Sequence, residues 1–166
     1  MLAALAVLTV NYWVAPAKKP GDDELAVWAL QDWARASAGR LRWKRVEKSA
    51  EARIRIRWVD VGAGLYGEAV GGDVYVSLAM APTHDSLLRD TVVYLTCLHE
   101  SGHALGLRHT AEFADIMYNF RFGGDIVEYF GRYRRKLKTR GDIAGASGLS
   151  AADRTALAEA LAAFAP

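Results

Sequence analysis

Residues 99–109 read HESGHALGLRH and hold three of the chain's four histidines. On an α-helix each residue turns about 100°, so His99 and His103 lie about 40° apart and one turn apart in height. Both imidazoles then project from one face and can share an ion, and zinc takes nitrogen ligands at about 2.0–2.1 Å. Glu100 sits one step round, beside the metal rather than on it. It is placed to accept a proton from a metal-bound water, whose pKa the ion lowers toward about 7. His109 needs a different argument. On a continued helix it would point some 80° away from His99 and lie about 15 Å further along. The helix must stop and the chain must turn back, and Gly106 can enter the left-handed conformation without a Cβ penalty. Leu107 can then stay in the core while His109 swings under the metal. Three histidines leave a fourth position open for water and substrate, which is the pattern of a catalytic site rather than a closed structural one. The bland alternative is a helix whose histidines bind nothing; it has no use for Glu100, Gly106 and His109 at these spacings.

The elements that must position these residues are readable from periodicity. Leu8 to Val14 is rich in β-branched and aromatic residues and reads as a first strand. KKPGDDE (18–24) is a turn followed by a helix start with acids in its first turn. Ala26, Ala29, Leu30 and Trp33 form the apolar stripe of that helix, which should end near Ala38–Gly39. Leu41 to Val46 reads as a strand. In RIRIRW (53–58) Ile54, Ile56 and Trp58 face one way and Arg53, Arg55 and Arg57 the other, as in a half-buried strand with a solvated side. Leu65 to Val70 is a short strand, Gly71-Gly72 a turn, and Val74, Val76 and Leu78 alternate in the next strand. Leu87 to Leu105 reads as a long helix, capped by Asp85 or Ser86, with Leu88, Val92, Leu95 and Leu98 toward a core. From Asp125 onward, Ile126, Tyr129, Phe130, Tyr133 and Leu137 fit one helical face, with the basic residues on the other. Ser150-Ala-Ala-Asp153 is a capping-box variant opening a last helix, Ala151 to about Phe164.

Bulk properties narrow the classes. With 166 residues, 52% of them hydrophobic, the chain suits one domain, residues 1–166, with a sizeable core. The net charge of +2 is too small for a general nucleic-acid binder. Basic charge is local: Arg132, Arg134, Arg135, Lys136, Lys138 and Arg140 carry +6, which leaves the remainder at −4. That run reads as the exposed side of a helix, with an acidic partner or anionic surface as the competing use. One cysteine, Cys97, permits no intrachain disulfide, so packing or a metal must hold the fold. Cys97 lies about 200° round the helix from His99 and reads as a buried small hydrophobe. The start of the chain has an apolar run and a small-x-small ending but no basic n-region, and Asn11 interrupts it. Residues 1–7 are therefore a candidate remnant of a leader segment, and the run is too short to span a membrane. His84, in APTHDS, reads as an exposed loop residue.

His99-Glu100-x-x-His103-x-x-Gly106-x-x-His109 resembles the metzincin zinc signature. Metzincins also carry a methionine in a tight turn beneath the metal, and ADIMY supplies Met117 here. Its spacing from the third histidine and the tyrosine after it resemble the matrixin family, in the manner of bacterial matrixin-type peptidases. The order of elements over residues 8–118 and 149–164 is similar too. The resemblance implies an α/β (α+β) fold: a mixed twisted sheet of about five strands, packed with an early helix, a central active-site helix and a C-terminal helix.

The same resemblance implies a zinc metalloendopeptidase with one catalytic zinc ion on His99, His103 and His109. Glu100 would be the general base, and Gly106 and Met117 would support the site. The substrate would be a polypeptide lying extended along the edge of Leu65–Val70, with Leu65, Tyr66, Gly67 and Tyr118 as substrate-binding candidates. The protein would be secreted or extracytoplasmic and monomeric, with no nucleic-acid partner and no stable membrane insertion. There are departures from the family pattern. Residues 61–78 contain no histidine, so the structural zinc of animal matrixins is not expected, and the sequence leaves calcium open. Asn119 stands where the family usually has proline, and residues 120–148 are longer and more basic. Two other readings remain: a non-proteolytic zinc-containing peptide-binding module, and zinc-dependent hydrolysis of something other than a peptide. Glu100 argues against the first, because a structural ion needs no general base.

Overall fold

The sheet is built from alternation. In β3, Ile54–Val59, the side chains of Ile54, Ile56 and Trp58 are buried while Arg55 and Arg57 face outward. Its neighbours follow the same rule: Val10, Tyr12 and Val14 are buried in β1 (Leu8–Val14), and Val74 and Val76 in β5 (Asp73–Ser77). With β2 (Leu41–Arg45) and β4 (Gly67–Val70), these strands form one five-stranded sheet in the order β2-β1-β3-β5-β4. The first three pairings are parallel and β4 runs antiparallel to β5. On the outward face Asp73 accepts from Arg55 at 2.8 and 2.9 Å and from Arg57 at 3.0 Å. Those guanidinium groups hold the Asp73 carboxyl down to about 2. The computed structural model describes residues 7–60 and 65–163, so residues 1–6 of the candidate leader and Phe164 lie outside the described residues.

Among the described residues, four α-helices accompany the sheet: α1 (Asp22–Ala36), α2 (Ser86–Ala104), α3 (Ile126–Arg134) and α4 (Ala151–Ala163). This mixed α/β arrangement is the expected one, with the early, central and C-terminal helices in place. Asp85 caps α2, its carboxylate accepting from Leu87 N–H at 2.9 Å and Leu88 N–H at 3.0 Å. Trp33 of α1 is fully buried and donates from Nε1 to Leu98 O at 3.0 Å and to Ser101 Oγ at 3.1 Å. This fixes α1 against the middle of α2, the helix that carries the first two histidines. Arg89 of α2 reaches the buried carboxylate of Asp22 in the first turn of α1, with Nη2 at 3.0 Å from Oδ2. Buried Asp32 accepts from Tyr94 Oη at 2.9 Å and from Ser147 Oγ and Gly148 N–H at 3.0 Å each. One apolar cluster joins the inner face of the sheet to α1, α2, α3 and α4.

The structure departs from the sequence reading at the start of β4, at the end of α3 and along the basic run. Leu65 and Tyr66 precede β4 rather than belonging to it. Tyr66 still accepts from Ser77 N–H at 2.8 Å, but its ring turns onto Phe130 at 5.0 Å, and Leu65 is 59% exposed. Helix α3 ends at Arg134, short of Leu137. Beyond it Asp142 accepts from Lys138 N–H and Thr139 N–H, both at 2.7 Å, and starts a 3₁₀ turn over Arg140–Ala144. A side chain competing for backbone donors is a standard way to stop a helix. The basic run is also not simply a solvated helix face. Arg132 donates to Phe113 O and lies over the Tyr129 ring, Arg134 pairs with Asp85 at 3.1 Å, and Arg140 bridges Asp90 at 3.0 Å and Glu24 at 2.8 Å. Three of its six cations are thus braces between elements, and Arg135 pairs with Glu128 within and just beyond α3.

Candidate metal centre and cleft

The active helix ends as its sequence demands. Gly106 has φ +96°. Leu107 N–H bonds to Gly102 O at 2.9 Å and Gly106 N–H to His103 O at 2.9 Å, which is the paired closure of a Schellman turn. Leu107 stays buried. The chain then reverses, and Thr110 N–H donates to Met117 O at 2.8 Å while Asn119 N–H donates to Thr110 O at 3.1 Å. This strap brings His109 back over the end of α2.

His99, His103 and His109 therefore converge. The Nε2 atom of His109 lies 3.0 Å from that of His103 and 3.3 Å from that of His99. Nitrogens about 2.05 Å from one ion at tetrahedral angles stand roughly 3.3 Å apart, so the spacing fits zinc. The donor chemistry fits as well. His99 Nδ1 faces Ile116 O at 2.6 Å and His103 Nδ1 faces Leu107 O at 2.9 Å. A carbonyl oxygen only accepts, so both Nδ1 atoms carry the proton and both Nε2 lone pairs point inward. Burial pushes the His99 imidazole down to about 4 and, with His103 and Arg121 adding to the effect, lowers His109. Both shifts favour the neutral imidazole that binds metal.

Glu100 is 7% exposed and lines the cavity beside the histidines. Burial, and then the charge of Glu68, lifts its carboxyl to about 7. Gly67 explains how the sheet reaches it. A Cβ on Gly67 would stand 2.8 Å from Glu100 Cγ, 2.7 Å from Thr96 Cγ2 and 2.8 Å from Tyr75 O. Only glycine lets β4 lie this close to α2. Gly102 plays the same part below, where a Cβ would stand 2.7 Å from Met117 Sδ and 2.9 Å from Trp33 Cζ2. Met117 is buried, with its Sδ beside Gly102 of the histidine-bearing helix.

The cavity holds about 520 Å³. Leu65, Tyr66 and Gly67 border it on the β4 side, Tyr118 and Phe120 on the other, and Ile126, Tyr129 and Phe130 of α3 close it. Tyr118 is buried and donates from its hydroxyl to Gly123 O at 2.6 Å, so it is a fixed wall. His84 is exposed and outside the cluster. Cys97 is buried, which raises its thiol pKa, and it does not line the cavity.

Sequence reasoning missed two residues of the site. Asp153 accepts from Ser150 N–H at 2.8 Å, which with Ser150 Oγ closes the expected capping box. The same carboxylate accepts from Ile116 N–H at 2.8 Å and Met117 N–H at 3.4 Å and so anchors the methionine turn. Its capping role was visible; its second role spans 37 residues and has no local signature. Asn119 is the other: its Nδ2 lies 3.0 Å from His109 Nδ1. Its one signal was that it replaces the proline usual in the resembled family.

No family model matches this chain. Among curated proteins it is similar to the interstitial collagenase of Oryctolagus cuniculus, at 38% identity over 61 residues. That stretch is 36% of this chain but spans only 13% of the collagenase's length. Among solved structures it is similar to the archaemetzincin of Methanopyrus kandleri, with a TM-score of 0.59 and 13% identity, covering 98% of this chain and 99% of that one. Myroilysin aligns with a TM-score of 0.47 and 20% identity over 68% of this chain and 53% of its own. The chain has a metzincin-type fold. The narrower likeness to matrixins rests on the short collagenase stretch and is the weaker of the two.

Proposed function

We propose that the protein is a zinc-dependent metalloendopeptidase. The observation that carries the reading is the juxtaposition at one cavity of three convergent imidazoles, a buried carboxylate and a sheet edge. His99, His103 and His109 would hold the ion, which supplies Lewis acidity and lowers the pKa of water. Glu100 takes a proton from the attacking water and returns it to the leaving amine. β4 is the edge strand on the cavity side of the sheet, so its outer backbone groups can pair with an extended peptide. Gly67 holds that edge against Glu100, which sets the scissile bond beside the base. The apolar recess formed by Leu95, Ile126, Tyr129 and Phe130 accepts one bulky apolar side chain.

The peptide-binding module without chemistry is the weaker reading. It leaves Glu100 buried beside three imidazoles with nothing to do, although burying a carboxylate is costly. The test is a pair of quenched peptides that differ only after the scissile bond, leucine in one and aspartate in the other. Zinc-loaded protein should cut the leucine peptide at least about 100-fold faster, a chelator should stop it, and added zinc should restore it. No cutting of either peptide with zinc bound would favour the binding module.

A further inference from the structure

The edge of the cleft carries a charge that the chemistry does not use. Side chains alternate along β4. Gly67 and Ala69 pair with Val76 and Val74, both fully buried, and so lie on the core side of the sheet. Glu68 and Val70 pair with Tyr75 and Asp73 and lie on the outward side. Glu68 is exposed, borders the cavity and has no hydrogen-bond or ion-pair partner among the described residues. The cations further in on that face, Arg55 and Arg57, are held by Asp73. A strand added to the β4 edge would meet Glu68 directly. Residues opposite one another across an antiparallel pair put their side chains on the same face, with Cβ atoms about 4.5–5.5 Å apart.

The recess sets the direction of that strand. It lies at the Tyr66 end of the edge, where the Tyr66 ring meets Phe130 at 5.0 Å, and it takes the side chain that follows the scissile bond. Gly67 stands beside Glu100. The residues before the scissile bond therefore run from Gly67 toward Val70, antiparallel to β4. We propose that Glu68 is a specificity-determining residue that selects a lysine or arginine on the amino-terminal side of the scissile bond. Val70, two residues along the same face and 58% exposed, takes the next outward side chain, for which charge is of no use. The proposal rests on the peptidase reading above and names its substrate class: extended segments with a basic residue shortly before the cut and a bulky apolar residue after it.

Opposite charges directly across a strand pair are worth up to about fivefold in an equilibrium, and like charges work the other way. Quenched peptides should carry lysine, glutamine or glutamate at each position before the cut in turn, with leucine after it. At one position the zinc-loaded parent should prefer lysine to glutamate by roughly 5–10-fold in kcat/KM at low salt. The preference should fall toward about twofold in about 1 M salt, where the screening length is about 3 Å. Glu68→Gln should abolish it and Glu68→Lys should invert it, at that position and no other. A lysine two positions further from the cut faces Val70 and should gain little. Poor folding of a variant would slow all the peptides alike and leave these ratios unchanged. Fluorescence anisotropy gives a second readout: zinc-loaded Glu100→Ala should bind the lysine peptide more tightly by a similar factor, and Glu68→Gln in that background should remove the difference. Ratios that neither Glu68 variant moves would overturn the proposal, as would the lack of a lysine preference at every position. A parent that cuts nothing while the Glu68-dependent binding preference persists would sink the peptidase reading and leave Glu68 as a reader of basic peptides. No binding of any peptide would sink both.

Discussion

Glu100 carries a stability signature that can be read without any substrate. Its carboxyl is buried beside the cavity and raised from an ordinary 4.5 to about 7, by burial first and by Glu68 second. A carboxyl whose folded pKa lies above its unfolded value takes up a proton on folding. Its contribution to stability is whole below about 4.5 and is lost as pH rises to about 7. At about 1.36 kcal/mol per pH unit, the full loss is roughly 3 kcal/mol. Most of it falls between pH 5 and pH 8, because part has already gone at pH 5. Solvent screening takes little from this, since the side chain is almost fully enclosed. Glu100→Gln is nearly the same shape and never ionises. Urea unfolding of the chelator-treated parent and of Glu100→Gln at the two pH values isolates the term. The other titrating groups, such as His99 at about 4 and Asp73 at about 2, are common to both proteins and cancel. The parent should lose roughly 2–3 kcal/mol relative to the variant on going from pH 5 to pH 8. Parallel behaviour of the two proteins would refute the burial argument for Glu100, and with it the claim that the carboxyl is poised near neutrality.

Three further substitutions test the supports. Gly67→Ala must push β4 away from Tyr75 O and Glu100 Cγ; it should cost about 1–3 kcal/mol in urea unfolding and reduce peptide cleavage more than zinc affinity. Gly102→Ala gains up to about 1 kcal/mol in helix propensity but drives a methyl into Met117 Sδ and Trp33. A net loss of about 1 kcal/mol is expected, and a net gain by calorimetry would mean that Met117 simply moves aside. Asp153→Ala strands the N–H groups of Ser150, Ile116 and Met117; it should cost about 3 kcal/mol and weaken zinc binding, and normal zinc affinity would show that the methionine turn needs no tether.

The parts of this molecule that could be read in advance are those whose physics is local. The i, i+4 histidines, the glycine that must turn the chain at Gly106, the alternation of β3 and the Ser150–Asp153 cap all act within a few residues. The parts that could not be read depend on contacts between distant segments. Trp33 bonds to Leu98 O across 65 positions, and nothing in its helical stripe distinguishes a hydrogen-bonding tryptophan from a packing one. The cations at Arg132, Arg134 and Arg140 sit opposite an apolar face and look solvated, yet their partners lie on other elements. Gly67 was legible as a strand residue and a substrate-binding candidate; its need for glycine comes from Thr96 and Glu100 on α2. Tyr66 lies just outside the expected strand, its ring against that of Phe130, more than 60 positions away.

The central claim is that Glu100, beside a zinc ion on three histidines, breaks peptide bonds. It is tested most directly by giving zinc-loaded parent and zinc-loaded Glu100→Ala the same diverse peptide mixture and identifying products by mass spectrometry. The account predicts cuts by the parent, enriched before bulky apolar residues, and none above background by Glu100→Ala at equal zinc content. Equal cutting by both proteins, or no cutting by a parent with zinc bound, would contradict it.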